Sequence, residues 1–230
     1  MSNQFIASVE KRVFTWKELQ KKRKEQDMES KPPRTSITIS REFGCDGYPL
    51  AVALKTSLDQ KTGQNWTIFD DDLIVKIASD NSISKHLIKK FGERAKYLDY
   101  IIASLLPNWK SETEIFKLIV ETVFSVAQQG NSIIIGRGAF AITKDLPNCY
   151  HFRLIAPLEY RAKSYALRTN ISEEEAKRIV EEKEESRTRF LSDFLNCGFD
   201  HDNFHLVLNN EKISPERMAD TILYLIKDTI

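Results

Sequence analysis

The sequence predicts an α/β domain in which a central parallel sheet is covered by helices on both faces. Three observations carry this. Short apolar strand patterns alternate with helical periods along most of the chain. Ser132-Ile133-Ile134-Ile135 is a continuous apolar run bounded by glycine, the pattern of a strand buried on both faces. Ile37-Thr38-Ile39-Ser40-Arg41-Glu42-Phe43-Gly44-Cys45-Asp46-Gly47 carries an apolar alternation straight into a tight glycine turn. A helical pattern follows at Tyr48-Pro49-Leu50-Ala51-Val52-Ala53-Leu54. Ligands in such sheets sit at the carboxyl ends of the strands.

The elements follow in order. A strand over 36–40 leads into a helix over 48–60, and a short strand over 66–69 runs into Asp70-Asp71-Asp72. Helices are expected over 72–79 and 84–91. A third, over 111–129, places Ile115, Leu118, Ile119, Thr122, Val123 and Val126 at helical spacing and stops at Gly130. Strands follow over 132–135 and 150–155. Pro157 suits the first turn of a helix, and Ser172 with Glu175 is a capping box opening a long charged helix. A last strand over 206–208 precedes a helix capped by Ser214-Pro215-Glu216, with apolar Met218, Ile222, Leu223 and Ile226.

Residues 1–34 stand apart from the domain over 35–230. Phe14-Thr15-Trp16-Lys17-Glu18-Leu19 could begin an amphipathic helix, residues 20–31 are almost wholly polar, and Pro32-Pro33 breaks any helix. This appendage reads either as a solvated tail or as a cap on the domain or a partner contact.

Composition narrows the function classes. The net charge of +1 provides no global field for nucleic acid or an acidic membrane surface. The 3 cysteines, Cys45, Cys149 and Cys197, are odd in number and widely spaced, which argues against a disulfide framework or a zinc site. No stretch is apolar enough to span a bilayer and no signal-peptide core follows Met1, so a reducing cytoplasm is the simplest compartment.

Two glycine turns follow two of the strands. Gly44-Cys45-Asp46-Gly47 precedes a helix, so its backbone N–H groups and the helix dipole can cradle an anion. It lacks the Gly-Lys-Ser/Thr ending of the usual triphosphate loop, having Gly47-Tyr48-Pro49 instead. Gly136-Arg137-Gly138 sets a guanidinium between two glycines, suited to gripping a phosphate with two parallel hydrogen bonds. The alternative there is a tight turn with a solvated arginine. Lys183, Glu184, Arg187 and Arg189 lie on the long helix, either as a solvated ion-pair face or as a lid bringing positive charge over phosphate. The Asp70-Asp71-Asp72 run could orient magnesium or a ribose, or simply cap a helix.

Taken together these segments resemble the cytidylate kinase-like family, a branch of the P-loop nucleoside monophosphate kinases. The resemblance covers roughly 36–226. It rests on Ile39-Ser40-Arg41-Glu42-Phe43-Gly44, Phe69-Asp70, Ile134-Ile135-Gly136-Arg137-Gly138-Ala139, Ala156-Pro157-Leu158-Glu159-Tyr160-Arg161, Ser172-Glu173-Glu174-Glu175-Ala176, and Arg187 before Phe190. It implies a three-layer P-loop kinase-like fold with a helical lid. It implies transfer of the γ-phosphoryl group of ATP, with Mg²⁺, to a nucleoside monophosphate such as CMP or dCMP. By the resemblance, Arg41, Gly44, Cys45, Asp46, Gly47 and Tyr48 would surround the donor phosphates. Asp70, Gly136, Arg137 and Gly138 would form the acceptor side, and Arg137, Arg187 and Arg189 would be catalytic. No metal ligand is assigned.

Three departures stand out. Gly-Cys-Asp-Gly replaces the usual Gly-Ser-Gly-Gly, so Asp46 puts a carboxylate where phosphates should sit. At about 4 Å such a contact costs roughly 1 kcal/mol in water and about 4 kcal/mol at an effective dielectric of 20. Gly138 replaces the aspartate of the cytidylate kinases proper, and Glu184 replaces a lid aspartate. The expected partners are small nucleotides. The alternatives are a non-catalytic nucleotide-binding protein of the same fold, and an interaction protein acting through residues 1–34.

Overall fold

The computed structural model describes residues 8–26, 34–80, 113–195 and 199–230. Five strands form its centre: β1 (Ser36–Arg41), β2 (Thr67–Phe69), β3 (Ser132–Ile135), β4 (Cys149–Ile155) and β5 (Leu206–Asn209). Their order is β2-β3-β1-β4-β5, and every pairing is parallel. Ile39 of β1 lies opposite Ile135, the last residue of β3, while Arg41, the last of β1, lies opposite Leu154 of β4.

Among the described residues the helices are α1 (Val9–Gln26), α2 (Tyr48–Thr62), α3 (Asp71–Ser79), α4 (Thr113–Gln129), α5 (Ala139–Ile142), α6 (Leu158–Thr169), α7 (Glu173–Leu195) and α8 (Pro215–Leu225). The strand side chains alternate between two cores, as a period of two requires. On one face Ile37, Ile39, Ile133, Ile135, Phe152 and Leu154 pack with Leu50, Leu54 and Leu58 of α2 and Met218, Ile222 and Leu223 of α8. On the other, Phe69 and Ile134 pack with Leu73, Ile74 and Ile77 of α3 and Val120, Val123 and Phe124 of α4. Two of the polar members of β1, Ser36 and Thr38, are fully buried but paired. Ser36 Oγ donates to the Ala127 carbonyl at 2.6 Å, and Thr38 Oγ1 lies 2.8 Å from His151 Nδ1.

Most predicted elements appear within two or three residues of their expected bounds. Ser214 and the Ser172–Glu175 box cap their helices through hydrogen bonds from Arg217 N and Glu175 N. The helix expected over 84–91 lies outside the described residues, as does Cys197. The four-residue α5, directly after Gly136-Arg137-Gly138, was not expected.

The described part of the appendage is helical and touches the domain. Residues 9–26 are helical, and Val13 and Trp16 join the core beside α3, with Trp16 edge-on to Phe69 at 6.0 Å. Arg12 Nη1 pairs with Asp70 Oδ2 at 2.8 Å, and its Nη2 donates to the Ile68 carbonyl at 3.4 Å. Through Arg12, Val13 and Trp16 this helix packs against the domain.

Candidate active site

At the carboxyl ends of β1, β2 and β3 the chain encloses a cavity of about 690 Å³. Arg41, Gly44, Cys45, Asp46, Gly47, Tyr48, Asp70, Gly136, Arg137, Gly138 and Arg187 all reach its wall. The fold therefore brings eleven of the twelve expected site residues together. Arg189 is the exception: its side chain is 70% exposed, pairs with Glu185 and is not on the wall. Two residues along an α-helix turn a side chain by about 200°, so Arg189 and Arg187 cannot share a face.

The glycine turn is held from outside by helix α6. Arg161 Nη1 donates to the Phe43 carbonyl at 3.0 Å, and Arg168 Nη2 donates to the Gly44 carbonyl at 2.7 Å. In a planar trans peptide the N–H points opposite its carbonyl, so the Gly44 N–H is turned away from α6. Gly44 has φ +99, and a Cβ there would lie 2.7 Å from the Arg161 Cβ and carbonyl oxygen, so only glycine fits. Much of the cradle is already engaged. The amides of Phe43, Cys45, Asp46 and Tyr48 donate to Glu184 Oε2 (2.6 Å), Glu42 O (3.1 Å), Asn210 Oδ1 (3.1 Å) and Asp46 Oδ1 (3.1 Å). The amides of Gly44 and Gly47 have no acceptor among the described residues.

Asp46 thus sits at the N-terminus of α2, with one oxygen on the Tyr48 amide and the other 3.4 Å from Arg168 Nη1. Arg41 lies across the turn. A Cβ on Gly136 would fall 2.8 Å from Arg41 Nη1, so the second glycine turn makes room for this guanidinium. Burial, with Arg187 and Arg168 nearby, lowers the Arg41 pKa to about 10, opposed by Asp46. Arg41 stays charged at neutral pH and has no ion pair within 4 Å among the described residues. Burial pushes the Cys45 thiol up to about 12, helped by Glu42. It is a neutral packing group and no nucleophile.

On the opposite side, Asp70 caps α3 by accepting from Leu73 N at 3.1 Å while its other oxygen holds Arg12. The capping alternative for this aspartate run is therefore realised, and Asp70 faces the cavity with its charge already matched. Arg137 adopts φ 55 and pairs with Asp71, though its Nε–H is not aligned as a hydrogen bond. Burial lowers its pKa. From α7, Glu184 binds the Phe43 amide and Arg187 Nη1 at 3.3 Å, tying the lid helix to the loop. Burial lowers the Arg187 pKa, with Glu184 opposing. Beneath the lid, Arg153 of β4 is 7% exposed, and its guanidinium lies 3.7 Å over the Phe199 ring.

Sequence reasoning missed the tasks of Arg161, Arg168, Asn210 and Arg12. The seven-residue spacing of Arg161 and Arg168, which puts them on one helical face, was the available clue. Among the described residues no group of three His, Cys, Asp or Glu side chains is placed to hold a metal, and no helix is long and apolar enough to cross a membrane.

The model of the cytidylate kinase-like family matches residues 36–212. A cytidylate kinase of Sulfolobus acidocaldarius is 33% identical over 141 residues, 59% of this chain and 75% of that protein. An uncharacterized protein from Eubacterium ventriosum superposes with a TM-score of 0.62 at 16% identity, over 85% of this chain and 99% of that one. That likeness speaks to the fold alone. The sheet, its flanking helices and α7 form a three-layer P-loop kinase-like fold. The chain belongs to the cytidylate kinase-like family. Its class is that of the nucleotide kinases, and nucleotide binding is what the family supports.

Proposed function

We propose that the protein transfers the γ-phosphoryl group of ATP to a nucleoside monophosphate, most simply CMP or dCMP. The observation that carries this is the cavity itself. It is built on two glycine turns at neighbouring strand ends, with Arg41, Arg137, Arg168 and Arg187 converging on it. Phosphoryl transfer needs little covalent chemistry from the protein, so positioning and charge suffice. In this reading the Gly44 and Gly47 amides, the N-terminus of α2 and Arg41 hold the donor phosphates. Arg137 grips the acceptor phosphate, and Arg187 neutralises charge that spreads over the transferring group. Asp70, bonded through both oxygens to Arg12 and the α3 backbone, would line the acceptor side as a charge-matched wall.

Magnesium fits the site in one limited way. Such ions are held by one or two carboxylates plus substrate phosphates, and Asp46 is the half-exposed carboxylate at the loop. When bound, Mg²⁺ would partly neutralise the charge of the donor phosphates.

A second reading has a specific observation behind it. The Asp46 carboxylate occupies the N-terminus of α2, which suits a nucleotide-binding protein without turnover. One experiment separates the two: purified protein with ATP and Mg²⁺ is presented with a panel of nucleoside monophosphates and formation of ADP and diphosphate is followed. Transfer to a cytidine monophosphate supports the kinase reading. ATP binding with no transfer to any monophosphate supports the second.

A further inference from the structure

We propose that Arg168 is a donor-phosphate ligand held in reserve by Asp46, and that an incoming triphosphate displaces the carboxylate from it. The inference rests on the donor site proposed above and names a residue outside it. Four observations lead there. The loop has Gly47-Tyr48-Pro49 where a lysine would ordinarily reach the phosphates, so the cation must come from elsewhere. Arg168 is anchored at the loop by its Nη2 bond to the Gly44 carbonyl, which leaves Nη1 directed at Asp46 Oδ2, 3.4 Å away. The carboxylate in turn takes the Tyr48 amide at the start of α2, the position a phosphate oxygen would take. Both side chains line the cavity, and both are 37% exposed.

A carboxylate bridging a helix N-terminus and a guanidinium reproduces the contacts of a bound phosphate. The pair is long and half-exposed, so opening it costs little. A phosphate carries more charge and more acceptor oxygens than a carboxylate, so the exchange favours the ligand. Arg168 need not move far: its anchor on Gly44 O survives the exchange while Nη1 changes partner. Asp46 sets the threshold for the exchange and Arg168 provides the affinity gained.

The test is a titration of ATP in magnesium-free buffer, so that no role of Asp46 toward the metal enters. It uses the full chain as wild type, Asp46→Asn, Arg168→Gln and the double variant. Asparagine keeps an acceptor for the Tyr48 amide and removes the charge. Circular dichroism and thermal unfolding confirm the fold of each. Asp46→Asn should tighten ATP binding by up to about tenfold. Adding Arg168→Gln to Asp46→Asn should then weaken it by about tenfold or more, because the guanidinium is lost as a ligand. Arg168→Lys in the same background, keeping a charge and the Gly44 contact, should fall between and serves if the glutamine variant does not fold. If the double variant binds ATP as tightly as Asp46→Asn, Arg168 is only a partner of Asp46 and the inference is overturned. If Asp46→Asn binds more weakly than wild type, the displaced-carboxylate idea is overturned. If no form binds ATP at all, the donor reading itself fails and takes the inference with it.

Discussion

Arg137 combines a left-handed backbone, φ 55, with a place between two glycines at the end of β3. A non-glycine residue in that conformation is uncommon, and strain of this kind tends to collect at functional sites. Its guanidinium is restrained by Asp71 but remains on the cavity wall. Lysine would keep the charge and lose the two-pronged geometry. Arg137→Lys should therefore raise the KM for the acceptor far more than that for ATP, and Arg137→Ala should be nearly inactive. Steady-state kinetics with each substrate varied in turn would show this, and unchanged acceptor kinetics in both would reduce Arg137 to a turn residue. A second residue-scale effect concerns acid. His151 is buried against Thr38 and the His205 ring, and burial, reinforced by His205, lowers its pKa from 6.5 to about 4. The folded protein then binds fewer protons than the unfolded chain between those values. Stability should be complete above pH 6.5 and fall as the pH drops toward 4, by up to about 3 kcal/mol for this group. Denaturant unfolding at several pH values should give a shallower acid slope for His151→Gln; an identical slope would assign the acid sensitivity elsewhere.

Elements here were legible where they carry their own punctuation. Glycine after β3, the Ser172–Glu175 box and Ser214 each mark an end through local backbone bonds, so short windows of sequence reveal them. The four-residue α5 was not, because it is too short to show a period and is fixed by the preceding turn. The contacts across the loop were also hidden. Glu184 and Asn210 lie 141 and 164 residues from their loop partners, and such pairings belong to topology, which no local pattern encodes. The same holds for α1, whose polar sequence suggested solvent. Among its described side chains Val13 and Trp16 enter the core and Val9 packs against it, too few to stand out in a charged stretch. Because α1 rests on so few apolar anchors, it should open before the sheet does. Trp16→Ala should raise amide exchange across Val9–Gln26 while β1 and β3 remain protected. A simultaneous loss of protection throughout the sheet would make α1 part of the cooperative core.

For the whole molecule, a parallel sheet with β1 between β3 and β4 places two glycine turns side by side at one edge, and α6 and α7 lean over them. The alternating strand and turn pattern led to that edge as the expected ligand site, and eleven of the twelve residues that the family resemblance implied line the cavity there. What pattern alone did not reveal is how far the loop is pre-engaged, with four amides and the Asp46 carboxylate already bonded. In the proposed reaction this loop is nevertheless the donor-phosphate cradle. A crystal structure of the protein with ATP and Mg²⁺ tests it most directly. The expected result is phosphate density against the Gly44 and Gly47 amides, with Arg168 turned from Asp46 toward it. Well-defined nucleotide density elsewhere, with the loop unchanged and Asp46 still on Arg168, would contradict it.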